Sequence, residues 1–189
     1  MNATNHDTEA KLGKFIELIK AEAPDTQLEL ELLHLPPIIC AVTEHLMPAI
    51  HGKRQTLVTN LAPELPPIRA DSLRLEQILL NLLSYASQNT PAGEHISISA
   101  NQQEDFVLID IHYGKPATLP EEQCGICHLF HEPRRDDTSS TCDENLNFVL
   151  CKYFVELHGG VIQAKKGGNK NNAFSVFFPL QLQQRHAPS

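Results

Sequence analysis

Apolar side chains recur along the chain at the spacings of helices and strands. Near the start, four of them repeat every three or four residues and predict a short amphipathic helix that ends before Pro24: Leu12, Phe15, Ile16 and Ile19. A wider apolar stripe follows Asp71, a residue type that favours the N-cap position, and predicts the longest helix. The stripe consists of Leu75, Ile78, Leu79, Leu82, Leu83 and Ala86. One side of this helix is therefore expected to lie in the core.

Alternating or continuous apolar runs predict six strands. They are Leu28–Leu35, residues 55–62, residues 95–102, residues 106–113, and two strands within residues 161–182 around a polar Gly/Asn turn. The run at 106–113 is so continuously apolar that we expect both of its faces to be covered. Residues 63–71 are rich in proline and are expected to form an extended connector.

Two more helices complete the pattern. One is expected from Pro36 to about His51, and the other from Leu146 to Leu157, where Gly159 and Gly160 provide a C-terminal stop. Residues 115–145 are expected to be loop-like, with a short helix around Glu121–Phe130. This order predicts an α/β two-layer sandwich in which helices cover one face of a mixed, mostly antiparallel sheet.

Composition narrows the class of protein. With 189 residues, 41% of them hydrophobic, the chain is long enough for one well-packed domain. A formal net charge of −8 argues against nucleic-acid binding, which needs clustered Lys and Arg. No apolar run is long enough for a signal peptide or a membrane span, so we expect a cytoplasmic protein without membrane insertion. Its five cysteines are expected to be reduced.

Three segments, in this order, carry a specific resemblance. They are "LPPIRADSLRLEQILLNLLSYASQNTPAGEHISIS", "FVLIDIHYGKPATLPEE" and "VLCKYFVELHGGVIQAKKGGNKNNAFSVFFPL". Together they resemble the ATP-binding domain of sensor histidine kinases, which has the GHKL (Bergerat) fold also found in gyrase and Hsp90. The resemblance implies a domain over residues 27–182. Residues 1–26 would be an N-terminal tail carrying a remnant of a dimerisation helix, and residues 183–189 a C-terminal tail.

In that family an Asn box supplies two asparagines one helical turn apart, and the second carries Mg²⁺. Here the two positions correspond to Asn81 and Tyr85, and the phosphate-binding lysine that follows corresponds to Gln88. A neutral phenol is a poor ligand for Mg²⁺, which prefers hard oxygen donors in a tight octahedron. The resemblance therefore implies that one metal ligand and one cation are missing.

The glycine boxes of the family are altered as well. The first, Asp-x-Gly-x-Gly, corresponds to His112, Gly114 and Pro116, so that an imidazole stands where the adenine-binding carboxylate is expected. The second corresponds to residues 143–148 and contains no glycine. Asn145 and Asn147 are expected to substitute in part for glycine, because asparagine tolerates positive φ, but Asp143 and Glu144 place negative charge where phosphate would lie.

Two other groups could carry chemistry. "CGICHLFH" brings Cys124, Cys127, His128 and His131 within eight positions, an alternative metal site that we weigh against a short helix with buried cysteines. His6 and Asp7 resemble the phosphoacceptor pair of a kinase helix, although a disordered N-terminus is the simpler interpretation.

The sequence thus leads to a principal hypothesis and two alternatives. The first is a degenerate histidine-kinase-type domain, a pseudokinase without cofactor, that signals by binding a protein such as a response-regulator receiver domain or a sensor kinase. The second is a working kinase fragment that binds ATP and Mg²⁺, and the third is a histidine phosphotransferase derived from a kinase. The N-terminal helix could pack on its own domain or pair with a second copy in a homodimer.

Overall fold

The computed structural model describes residues 27–114, 142–165 and 172–180, with the backbone alone described over residues 142–146. The described residues form three helices: α1 (Leu35–Gly52), α2 (Ser72–Gln88) and α3 (Cys142–Leu157). They also form seven strands: β1 (Glu31–Leu33), β2 (Thr56–Leu61), β3 (Ile68–Ala70), β4 (His95–Gln103), β5 (Phe106–Tyr113), β6 (Val161–Lys165) and β7 (Asn172–Pro179). In this described part of the chain, no helix is long and apolar enough to cross a membrane.

The main sheet has five strands in the order β2-β4-β5-β7-β6. Only β2 and β4 are parallel, and the other neighbours are antiparallel, while β1 and β3 form a separate antiparallel pair. Buried residues of all three helices share one core with alternate residues of the sheet, such as Ile96, Ile98, Ile109 and Ile111. The predicted two-layer α/β sandwich, with helices on one face of a mixed sheet, is confirmed.

Helix α2 lies at the centre of this core. Its N-cap Asp71 accepts a hydrogen bond from the Arg74 N–H through Oδ1 at 3.0 Å, which satisfies one of the free donors of the first turn. Every residue of the predicted stripe is at most 1% exposed. The cap and the stripe fix the start and the orientation of this helix as the sequence predicts.

The end of α3 also follows the sequence. Gly159 takes a φ of +71°, and the Gly160 N–H donates to the Val155 carbonyl at 2.9 Å, so the helix stops at the two glycines. Buried His158 then joins two helices: its Nδ1 lies 2.6 Å from the Phe154 carbonyl, and its Nε2 accepts the Asp71 N–H at 3.0 Å. These two bonds use a neutral tautomer with the proton on Nδ1.

Several boundaries differ from the prediction. The first strand has three residues rather than eight, and the proline-rich connector contains strand β3, because residues 68–70 pair with β1. Helix α3 begins at Cys142, four residues before the predicted start at Leu146. The expectation that both faces of β5 are covered is wrong at its two ends, where Phe106 and His112 are exposed.

Candidate functional site

Four aromatic rings meet where the C-terminal half of α2 faces the end of β5, the beginning of β7 and the N-terminal half of α3. The Tyr85 ring lies edge-on to three others, with centroids 5.8 Å from Tyr113, 4.8 Å from Phe148 and 5.8 Å from Phe174. Tyr113 stacks on Phe174 at 5.0 Å with an interplanar angle of 18°. Phe148 lies 5.5 Å from Phe174. We call these four residues the aromatic cluster.

The aromatic cluster is part of the protein core. Phe174, Phe148 and Tyr113 are 0%, 2% and 3% exposed, and Tyr85 is half-buried. Edge-to-face and stacked pairs at these distances each contribute about 0.5–1.5 kcal/mol beyond the burial of their area. The space between α2 and this end of the sheet is therefore occupied by aromatic side chains.

Asn81, one turn before Tyr85, is half-buried and engaged with α3. Burial raises the pKa of the Cys151 thiol to about 12, and a hydrogen bond with the Asn81 side chain partly opposes that shift in pKa. The Cys151 Sγ also lies 3.9 Å from the Ile78 carbonyl. In this structure Asn81 therefore contributes to the contact between the two helices.

His112 and Tyr113 point to opposite faces of the sheet. The side chains of Ile109, Ile111 and Tyr113 lie on the helix side, as alternation along a strand requires, and His112 is exposed on the other side. The structure thus does not bring His112 together with Tyr85. Sequence reasoning missed Tyr113, although the period of two through Ile109 and Ile111 was the signal that could have found it.

Gly114 follows β5 with a φ of +75° and is buried. A Cβ at this position would lie 3.3 Å from both the Asn89 carbonyl and the Asn172 Nδ2. The Gly114 N–H donates to Thr90 Oγ1 at 2.9 Å, and Thr90 Oγ1 donates to the Ala86 carbonyl at 2.7 Å. A glycine is required here by the packing of β5 against the end of α2.

A buried amide, which sequence reasoning also missed, fixes the end of α2 from the other side. Gln55 is 4% exposed, and its Nε2 donates to the carbonyls of Ser87 and Thr90. Ser87 Oγ donates to Gln55 Oε1 at 2.8 Å. Gln88, the last residue of α2, is exposed.

The region that corresponds to the second glycine box is helical. Residues 143–147 lie inside α3, so the expectation that Asn145 and Asn147 substitute for glycine through positive φ is wrong. Asn147 is exposed. Among the described residues other than glycine, positive φ occurs at Arg54 and Glu104, far along the chain from this helix.

The remaining candidate residues fall outside the described ranges. These are Pro116, the proposed metal ligands Cys124, Cys127, His128 and His131, and the pair His6 and Asp7. Within the described ranges, His, Cys, Asp and Glu form no group of three or more that could hold a metal ion.

Comparisons of the sequence with known proteins point to one family. Residues 70–182 match the family model described as "Histidine kinase-, DNA gyrase B-, and HSP90-like ATPase". The chain is 27% identical over 154 residues to the alginate biosynthesis sensor protein KinB of Pseudomonas aeruginosa, covering 82% of this chain and 25% of KinB. It is 30% identical over 131 residues to the adaptive-response sensory kinase SasA of Synechococcus sp. (strain CC9311), covering 68% of this chain and 34% of SasA. The chain therefore spans about a quarter to a third of the length of these relatives.

Solved structures have the same fold. The histidine kinase AdeS of Acinetobacter baumannii matches with a TM-score of 0.65 at 18% identity, over 93% of this chain and 77% of that one. The catalytic domain of the histidine kinase ThkA, in a nucleotide-free form, matches with a TM-score of 0.65 at 21% identity, over 80% of this chain and 96% of that one. Full-length ShkA, solved in complex with AMPPNP, matches with a TM-score of 0.65 at 22% identity, over 81% of this chain and 31% of that one.

Proposed function

The chain belongs to the family of histidine kinase-, DNA gyrase B- and HSP90-like ATPases, as a histidine-kinase-type ATPase domain of two-component signalling, and from this premise we propose that it is a catalytically degenerate member. In this proposal the domain binds little or no ATP and acts by protein–protein interaction. The observation that carries the proposal is the aromatic cluster of Tyr85, Tyr113, Phe148 and Phe174. Each of the following features of the described residues supports it.

The first support is the position of Tyr85. The resemblance to sensor kinases assigns this position to the asparagine that carries Mg²⁺, and the chain has a phenol there. Its ring packs against three other rings, and its centroid is 4.8 Å from that of Phe148. An aromatic ring held in this way fills volume that a nucleotide and its metal would need, and a neutral phenol is a poor ligand for Mg²⁺.

The second support is the end of β5, where adenine would be recognised by a carboxylate. Tyr113 faces the helices, whereas His112, the residue that precedes it, faces away from them. Neither is a carboxylate. Tyr113 stacks on Phe174 within the aromatic cluster, so its ring takes part in packing.

The third support is the beginning of α3. An α-helix leaves N–H groups free in its first turn alone, because later ones bond to carbonyls four residues back. With the helix starting at Cys142, the N–H groups from residue 146 onward are used inside it. Asp143 and Glu144 add two negative charges to the first turn. This arrangement is unfavourable for a polyphosphate.

The magnitudes are large enough to abolish binding. A hydrogen bond to a charged group contributes about 1.5–3 kcal/mol, and a ligand of millimolar to micromolar affinity binds with roughly 4–8 kcal/mol in total. Loss of the adenine acceptor, the metal ligand and the phosphate-binding cation, which Gln88 replaces, removes most of that energy. A binding role remains, and the partner classes that fit the family are a receiver domain or a sensor kinase.

A thermal-shift measurement tests the nucleotide part of the proposal. If ATP with Mg²⁺ bound at a concentration 100-fold above its Kd, it would stabilise the folded state by about 2.7 kcal/mol, which raises the Tm of a chain of this size by roughly 5–10 °C. We expect no shift with 5 mM ATP and Mg²⁺, using a nucleotide-binding sensor-kinase catalytic domain as the positive control. A rise in Tm that grows with ATP concentration and needs Mg²⁺ would instead identify a working nucleotide-binding fragment.

A second experiment tests the binding role. The full chain, immobilised, is presented with purified receiver domains and sensor-kinase cytoplasmic regions, and binding is measured with and without ATP. We expect saturable binding of at least one class that does not change with ATP. If none of them binds, the interaction part of the proposal is rejected independently of the result with ATP.

A further inference from the structure

Three leucines form an exposed apolar patch near the beginning of the described chain. Leu73 and Leu32 are 69% and 67% exposed, the highest values among the large apolar residues of the described ranges, and Leu30 is 38% exposed. Large apolar side chains exposed together on a folded domain commonly mark a docking surface. We call Leu30, Leu32 and Leu73 the leucine patch.

The fold brings the segment that carries Leu30 and Leu32 to the start of the helix that carries Leu73. Leu30 and Leu32 are two residues apart in an extended segment and share a face, whereas Leu33 points the other way and packs on the core. Leu32 is paired with exposed Arg69, so this face of the β1–β3 pair is turned away from the core. The Glu29 N–H donates to Asp71 Oδ2 at 3.0 Å, which brings this segment to the first turn of α2, where Leu73 is located.

The structure therefore assigns the leucine patch as the docking surface for the chain's own N-terminal segment, residues 11–20. That segment carries the apolar face Leu12, Phe15, Ile16 and Ile19, which needs an apolar partner to form a stable helix. Six residues, 21–26, connect it to the first described residue, and a connector of that length reaches about 20 Å when extended. The patch lies within this reach, since Leu30 is four residues beyond the connector.

Hydrogen–deuterium exchange on the full chain tests this inference. A helix of about ten residues is marginal in water when isolated, so protection of the amides of residues 12–19 reports docking. Burying one leucine side chain is enough for about tenfold protection or more. We expect at least that protection in the parent protein, and a loss of at least about tenfold in Leu32→Glu and Leu73→Glu.

Two controls keep the outcome interpretable. Val161→Glu changes an apolar residue that is 49% exposed on β6 and should leave the protection of residues 12–19 unchanged. Phe15→Glu changes the apolar face of the segment and leaves the sequence of the described domain intact, and it should cause the same loss as the patch variants. Amides of β4 and β5 provide the internal measure that each variant is folded.

The inference is overturned by any of three results. These are no protection of residues 12–19 in the parent protein, protection that Leu32→Glu and Leu73→Glu leave unchanged, or protection that depends on protein concentration together with a dimeric mass by light scattering. The last result would mean that the apolar face pairs with a second copy of the chain. Each result is independent of whether the domain binds ATP.

Discussion

Removing the Tyr85 ring tests whether the aromatic cluster is part of the folding core. Tyr85→Ala deletes a half-buried ring with three aromatic neighbours, at centroid distances of 4.8 to 5.8 Å. Three such pairs contribute about 0.5–1.5 kcal/mol each beyond area burial. Complete truncation of a buried large aromatic residue destabilises a protein by about 3–5 kcal/mol. Since Tyr85 is half-buried, we expect a loss of about 2–4 kcal/mol in the free energy of unfolding.

Equilibrium unfolding in urea measures this loss. With an m-value of about 1–3 kcal/mol/M, a loss of 3 kcal/mol lowers the midpoint by roughly 1–3 M. Tyr85→Phe keeps the ring contacts and should retain most of the stability. Tyr153→Ala is the matched control, because Tyr153 is also half-buried, and its ring lies 5.8 Å from that of Phe154 on the same helix.

The reasoning is refuted if Tyr85→Ala loses less than about 1 kcal/mol, the average effect of a point mutation, or no more than Tyr153→Ala. Either result would mean that the Tyr85 ring is a peripheral side chain and leaves room that a ligand could occupy. The support of the proposed function from the aromatic cluster would then be lost.

Three further predictions follow from other contacts. Gly114→Ala should destabilise the protein by about 1–2 kcal/mol in urea unfolding, because φ is +75° and a Cβ would press on the Asn89 carbonyl. Gly93→Ala is the control: its φ is also positive, but a Cβ there would meet open space, so this variant should lose less stability. Burial raises the pKa of the Asp71 carboxyl, but hydrogen bonds from the N–H groups of Arg74 and Glu29 outweigh it and hold this pKa below its usual value. A carboxyl with a lowered folded pKa stabilises the protein above its unfolded pKa and ceases to do so as pH falls through the folded pKa, so Asp71→Asn should reduce the loss of stability below about pH 4. Urea titrations at several pH values measure this, and an unchanged loss of stability in acid would contradict it. Exposed Cys40 should react with a thiol reagent at pH 8 in the folded protein, while Cys151, which is buried and has a pKa raised to about 12, should react only after unfolding. Peptide mapping by mass spectrometry distinguishes the two cysteines. Rapid labelling of Cys151 in the folded protein would contradict its buried position.

Local signals made α2 predictable. The N-cap Asp71 and the stripe that follows are encoded within one segment, so pattern and structure agree. Strand β3 was missed because residues 68–70 become a strand by pairing with β1, more than thirty residues earlier, and a proline-rich sequence carries no sign of that pairing.

The candidate site was harder to predict because the spacing of the family motif and the periodicity of the strand select different residues. Counting from Gly114 selects His112, whereas alternation through Ile109 and Ile111 selects Tyr113, whose ring is in the aromatic cluster. The helical start of α3 had a signal as well, since Asp143 and Glu144 are the charges favoured in a first helical turn. Contacts such as Gln55 with Ser87 bring together residues that are 32 positions apart, and a sequence pattern does not contain them.

The order of strands in the main sheet has a consequence for how quickly the molecule forms. Strand β5 meets β4 across a two-residue turn, but its other neighbour β7 begins almost sixty residues after β5 ends. Closing so long a stretch of chain loses more entropy than forming the adjacent hairpin, and contacts between distant residues slow the search for the native state. Refolding after dilution from urea should therefore begin at the β4–β5 hairpin and be limited in rate by the arrival of β7.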